Sequence, residues 1–160
     1  MILATLCYLK REGRTLMLRR YDRPGDHHAG KWNGLGGKFE PGESPEECLR
    51  REVYEESGLS LTQAHLKGII TFPMFDGKDD WYAFIYIGTA FSGDLRSSRE
   101  GELSWIPDHE VPHLNVWPGD RVFLPWLDQD RFFSAKLIYE VGVFKDYTVT
   151  FYPPVEETIL

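Results

Sequence analysis

Five glutamates, Glu46, Glu47, Glu52, Glu55 and Glu56, crowd one short stretch of this chain, with Glu43 just ahead of them. Like charges one turn apart weaken a helix, so their concentration asks for a reason. At about 100° per residue, Glu52, Glu55 and Glu56 fall within about a third of a helix circumference. Leu49 and Val53 point to the neighbouring side, where a core would lie. Two readings compete. The face is either a solvated one, with Arg50 and Arg51 offsetting repulsion through pairs such as Arg51 with Glu55, or a seat for Mg²⁺ or Mn²⁺, hard cations that prefer carboxylate oxygens and leave positions open for phosphates.

The surroundings bear on that choice. The turn "GLGGK" just upstream lets backbone approach a ligand closely, and a backbone carbonyl there could complete a metal shell. Arg19, Arg20 and Lys38 supply positive charge for phosphate oxygens. Acids for a cation, bases for the remaining charge and pliant backbone between them are what metal-bridged phosphate chemistry requires.

These residues need elements to hold them. "ILATLCYL", "KREGR" and "TLMLRR" read as a hairpin turning at Gly13. The next 23 residues, "YDRPGDHHAGKWNGLGGKFEPGE", hold six glycines and two prolines and read as a long functional loop. Ser44 as N-cap, Pro45 at the first helical position and Glu47 at the third form a capping box, and Gly58 supplies the stop. "LKGIITFPMF", "DWYAFIYIGTAF" and "ELSWI" read as strands, and "WPGDRVFLPWLDQD" as a second helix capped near Asp120. "AKLIYEVGVFKDYTVTFY" reads as a terminal hairpin turning near Lys145 and Asp146. The pattern predicts an α/β (α+β) chain with a mixed sheet covered by helices, and 160 residues suit a single domain over 1–160.

Composition excludes several classes. A formal charge of −7 disfavours duplex nucleic acid, and no run approaches the length of a membrane span. Cys7 and Cys48 lie far apart, giving neither a disulfide framework nor a zinc spacing. Free thiols and a cytoplasmic setting are expected.

Gly37, five residues, Glu43, seven residues, Arg51-Glu52-Val53, one residue, Glu55-Glu56, one residue, Gly58-Leu59 matches all nine fixed positions of the Nudix box. The chain therefore resembles the Nudix hydrolases. That resemblance implies an α/β/α sandwich around a mixed β-sheet and Mg²⁺- or Mn²⁺-dependent hydrolysis of nucleoside diphosphates linked to another moiety. It implies Glu52, Glu55 and Glu56 as metal ligands with the Gly37 carbonyl, Glu43 beside them, and Arg51 orienting a carboxylate.

Beyond the box, "GKWNGLGGK", "SSREGELSW", "NVWPGDRVFLPWL" and "FFSAKLIYEVGVFKDYTVTFY" look like the MutT-type 8-oxo-dGTP diphosphatases, over about Thr5 to Tyr152. The likeness implies Asn33 on a purine edge, Trp117 stacked on the base, Asp120 on its polar edge, Glu100 assisting the metal site, and Thr5 with Arg19, Arg20 and Lys38 among the substrate contacts. Each recognition residue has a plainer role open to it: Asn33 as a turn cap, Trp117 as core, Asp120 as helix N-cap. One departure is Gly119, where the mammalian enzymes carry the first of two acids; it bears on selectivity for an oxidised base more than on the chemistry. Another is the longer "YDRPGDHH", whose His27 and His28 are open to two readings, substrate contacts or plain surface, with surface preferred. The expected activity is pyrophosphohydrolysis of 8-oxo-dGTP in nucleotide-pool sanitation, by a monomer or homodimer. An unmodified dNTP, a dinucleotide polyphosphate, a nucleotide sugar, or a non-catalytic nucleotide-binding module are the alternatives.

Overall fold

The structure is a computed structural model that describes residues 1–153; residues 154–160, which the expected 1–160 domain includes, lie outside the described residues. Strands β1 (Ile2–Arg11), β2 (Arg14–Arg20), β3 (Trp32–Asn33) and β4 (Leu35–Lys38) precede helix α1 (Pro45–Ser57). Then come β5 (Ser60–Phe72), β6 (Trp81–Ser92), β7 (Gly101–Pro107), helix α2 (Asp120–Phe123), β8 (Phe132–Glu140) and β9 (Val143–Tyr152). The sheet runs β3-β2-β1-β6-β5-β8-β9, with β4 also on β1 and β7 also on β2. It is mixed: β1 with β6 and β5 with β8 are parallel, and the remaining pairs are antiparallel.

Strand alternation sends side chains to two cores. Cys7 and Leu9 of β1 join Leu16 and Leu18 beneath Leu49 and Val53 of α1, while Tyr8 and Met17 face Phe123 and Leu127 on the opposite side. The sheet is thus sandwiched between α1 and the short helical segments around α2. Leu49 and Val53 are buried, as their place on the helix wheel requires. The capping box at Ser44 and Glu47 is formed, and Gly58 ends the helix in the left-handed region at φ 79°. No helix among the described residues is long and apolar enough to cross a membrane, and both cysteines are free.

Five local expectations are corrected. The loop over residues 21–43 is not structureless: β4 pairs residue by residue with β1, from Ala4 opposite Lys38 to Cys7 opposite Leu35. A neighbour's backbone recruits this glycine-rich segment where propensity alone could not. The second helix stops after four residues and continues as a 3₁₀ turn over Leu124–Asp128, since Pro125 brings no N–H to continue the α ladder. Asp120 is not its N-cap; that position is Gly119, and no side chain caps the helix. The terminal hairpin turns at Val141 and Gly142, both at positive φ (49° and 76°), the pair of conformations that a two-residue type I′ loop demands. Lys145 is instead the extra residue of a bulge, because Asp146 pairs with Ile138 and Phe144 with Tyr139. Finally, β5 begins at Ser60, ahead of the apolar run at Leu66, and three register shifts against β6 interrupt its alternation there.

Candidate active site

The acidic helix meets the glycine turn across a narrow gap. Pairing of β4 with β1 sets Gly37 opposite Thr5, and a Cβ at Gly37 would stand 2.5–2.7 Å from the carboxylate atoms of Glu52. Any side chain at 37 would therefore displace that carboxylate. One turn on, a Glu56 carboxylate oxygen accepts the Gly36 N–H at 2.7 Å. Glu56 is only 5% exposed; burial first, then the charges of Glu100 and Glu52, push its carboxyl up to about 9, against the downward pull of the Gly36 N–H. Glu52 is raised as well, by burial first and by Glu55 and Glu100, against Arg51.

Arg51 organises the outer acids. Its Nε and Nη2 grip Glu43 at 2.5 and 2.9 Å, and Nη1 reaches Glu52 at 2.7 Å and Glu55 at 3.3 Å. Nη2 also donates to the Lys38 carbonyl at 3.0 Å. The hydrogen bonds from Arg51 pull the Glu43 carboxyl down to about 2, and Arg51 in turn is raised. Among the described residues, no three side chains already converge as a metal cage. The reason is visible in these contacts: Glu52 and Glu55 are turned toward Arg51, and Glu56 toward backbone.

The donors nevertheless fit a divalent cation. They are hard oxygens, carboxylates of Glu52, Glu56 and Glu100 with the Gly37 carbonyl nearby, and the burial and mutual repulsion that raise Glu56 and Glu52 are what a nearby cation offsets. The Gly37 carbonyl takes a long contact from the Cys48 thiol at 3.6 Å.

A cavity of about 1030 Å³ runs from these acids to an aromatic end. Glu52, Glu56, Glu100, Gly37, Lys38, Arg51, Arg20 and Thr5 line one part, and Asn33, Trp117 and Asp120 another. Arg20 donates to Glu100 at 3.2 Å and to Asp26 at 3.0 Å; Asp26 accepts the His28 backbone N–H at 3.0 Å. The His28 ring accepts the Trp117 indole N–H at Nδ1, 2.8 Å away. One polar chain thus ties the acidic end to the aromatic end.

Trp117 packs edge-to-face with His28, Phe75 and Tyr139 at 5.1–5.8 Å. Asn33 sits on β3 opposite Leu18, within a strand pair rather than at a turn. Asp120 is 7% exposed, and burial pushes its carboxyl up to about 7 against the fields of Arg121 and Lys31. Three expected residues are not in the cavity wall: Arg19, Glu43 and Glu55. Arg19 follows from strand alternation, since its neighbours Leu18 and Arg20 point inward; Glu43 and Glu55 are joined to the wall through Arg51. Thr5 lies in the wall, buried, with its hydroxyl 3.5 Å from the Cys48 thiol. Lys38 holds its ammonium 5.1 Å above the Trp81 ring.

Four further residues contribute to the wall, three of them, Phe72, Phe75 and Tyr139, without a local motif that marks them. His28, expected at the surface, is half-buried against Trp117, and Phe72, Phe75 and Tyr139 line the cavity from β5, its following turn and β8. The only signal for the three aromatic residues Phe72, Phe75 and Tyr139 was a high aromatic content, 14%.

Residues 2–127 match the model of the NUDIX domain. The chain belongs to the Nudix hydrolases. Among relatives of this Nudix hydrolase, the uncharacterized Nudix hydrolase YvcI of Bacillus subtilis is 32% identical over 127 residues, covering 77% of each chain. An oxidized purine nucleoside triphosphate hydrolase of Mus musculus is 34% identical over 112 residues, covering 70% of this chain and 72% of its own. A crystal structure of a mutator MutT protein from Bacillus halodurans superposes with a TM-score of 0.83 at 29% identity, over 93% of this chain and 97% of the other. The fold expected from the Nudix box is therefore the fold observed, and the chain is an enzyme of that family.

Proposed function

We propose that this enzyme hydrolyses 8-oxo-dGTP to 8-oxo-dGMP and pyrophosphate, using Mg²⁺ or Mn²⁺, and so removes an oxidised nucleotide from the cytoplasmic pool. The observation that carries the reading is the continuity of one cavity between an acidic, cation-fitting end and an aromatic end with an amide and a carboxyl. A triphosphate and a purine need those two ends within one ligand's length. The naming of the mouse relative as an oxidized purine nucleoside triphosphate hydrolase supports the same substrate class.

In this reading Glu52, Glu56 and Glu100 with the Gly37 carbonyl hold the cation, and Glu55, also expected among the ligands, stands outside the wall on Arg51. When bound, a divalent cation neutralises charge on phosphate oxygens and acidifies water. Arg51 keeps Glu52 and Glu55 in place and is itself braced by Glu43. Arg20 and Lys38 offer positive charge to the phosphates. Arg19, outside the cavity wall, contributes only to the local field. Asn33 can both donate and accept toward a purine edge, Trp117 offers a stacking face, and Asp120 pairs with N–H groups of the base.

A second substrate reading, an unmodified dNTP, is favoured by one feature: Gly119 leaves a single acid in the α2 turn, and hydrogen-bonded polar groups are what give large discrimination. The ratio of kcat/KM for 8-oxo-dGTP and dGTP decides between them. A ratio far above one supports pool sanitation, and a ratio near one removes it.

A further inference from the structure

We infer that Tyr139 reads the base edge in this chain, its hydroxyl standing where a side chain at position 119 would otherwise project. The inference rests on the purine-triphosphate reading above and names how that site chooses its base.

The geometry begins at Gly119. Its N–H donates to the Tyr139 hydroxyl oxygen at 2.7 Å. A Cβ at 119 would stand 2.5 Å from that oxygen and 2.7 Å from Leu137 Cδ2. The backbone φ of −65° is ordinary, so glycine is required here for space alone. Position 119 thus presents no side chain to the cavity, and the phenol from β8 occupies the place.

The phenol is held firmly. Its ring meets Trp117 at 5.8 Å and 88°, Phe75 at 5.2 Å and 85°, and Phe144 at 5.4 Å and 60°. Tyr139 is 6% exposed and lines the cavity beside Asp120. Packing against three rings fixes χ1 and χ2, so the hydroxyl oxygen cannot wander.

Chemistry then assigns its role. A phenol that accepts one hydrogen bond keeps its own proton for a second partner. Burial and the neighbouring Asp120 charge raise its pKa, so the proton stays on. The cavity wall therefore offers a donor, Tyr139, next to an acceptor, Asp120. A matching edge carries an acceptor beside an N–H, which is the 6-keto, N1–H edge of a guanine-type purine. A 6-amino purine turns a donor toward the phenol and leaves the phenolic proton without a partner in a poorly solvated site, which is costly.

Tyr139→Phe tests this, because it removes one oxygen and keeps the ring. The full chain is assayed with 8-oxo-dGTP and 8-oxo-dATP, and the Kd of each monophosphate is measured by calorimetry, which needs no turnover. The expected result is a loss of about tenfold or more in kcat/KM and Kd for the 6-keto base and less than about threefold for the 6-amino base. Gly119→Ala, whose new methyl must push the hydroxyl aside, is expected to give the same selective loss. Equal losses on both bases, or none on either, overturn the inference, whatever happens to Tm. If the wild-type chain hydrolyses neither triphosphate yet the selective loss appears in Kd, the proposed reaction fails and the role of Tyr139 stands.

Discussion

The Arg51 guanidinium lies 2.7 Å from a Glu52 carboxylate oxygen and 2.5 Å from one of Glu43. One cation on the protein thus holds an acid of the cavity wall and is braced from behind by an acid outside it. Arg51→Lys keeps the charge and loses the planar fork. Turnover is expected to fall about 10–100-fold, as for other residues that orient metal ligands, with a weaker dependence of rate on cation affinity recovered at high Mg²⁺. Steady-state kinetics across a Mg²⁺ titration checks this.

Gly37 is where space decides function. Gly37→Ala puts a methyl into the Glu52 carboxylate, so Mg²⁺ or Mn²⁺ affinity is expected to drop at least about tenfold while the far-UV circular dichroism stays native. Unchanged cation affinity by calorimetry would contradict the assignment of this gap.

Glu56→Gln and Glu55→Gln separate the two ranks of acid. Glu56 is in the cavity wall and Glu55 is outside it, more than half exposed beside Arg51. Loss of Glu56 is expected to remove turnover by more than about 100-fold, and loss of Glu55 to cost less. Equal effects would show that Glu55 swings inward in the working enzyme.

Asp120 carries a pH signature. Its carboxyl has a folded pKa of about 7 against an ordinary value of 3.8. The folded state therefore keeps the proton that the unfolded chain releases, so stability falls as pH rises from about 3.8 to 7 and levels off above. At about 1.4 kcal/mol per pH unit, the upper limit of the loss is about 4 kcal/mol. Asp120→Asn is expected to raise Tm progressively over that window and to change it little near pH 4. A uniform shift at all pH values would refute the sign.

His28 holds the Trp117 indole. Burial first, then Arg20, lowers its pKa from 6.5, so its ring stays neutral and accepting at pH 7. His28→Phe keeps the ring packing and removes the acceptor. KM for the nucleotide is expected to rise about threefold to tenfold with kcat nearly unchanged, worth roughly one hydrogen bond. A change confined to kcat would place His28 elsewhere in the reaction.

Much of this site was legible in the order of residues. The spacing from Gly37 to Leu59 predicts one helix with its cap, stop, buried stripe and acidic face, because a helix is a local object whose periodicity is written in one stretch. Capping at Ser44 and Glu47 and the ending at Gly58 agree with that reading. The hairpin turn at Gly142 was not legible, because a flanking Val141 at positive φ is uncommon and a charged Lys-Asp pair nearby looks more like a turn. The long second helix failed at Pro125, one residue whose missing N–H outweighed a favourable composition.

The sequence by itself determined the family, the acidic helix and the kind of cation it suits, since these depend on residue types at fixed short separations. Only the tertiary structure decided which acids face the cavity, that Arg51 engages Glu43, Glu52 and Glu55 together, that His28 holds Trp117, and that Tyr139 fills the space beside Gly119. Those are contacts between strands and loops distant along the chain, whose partners are chosen by sheet register and packing, and no local pattern records them.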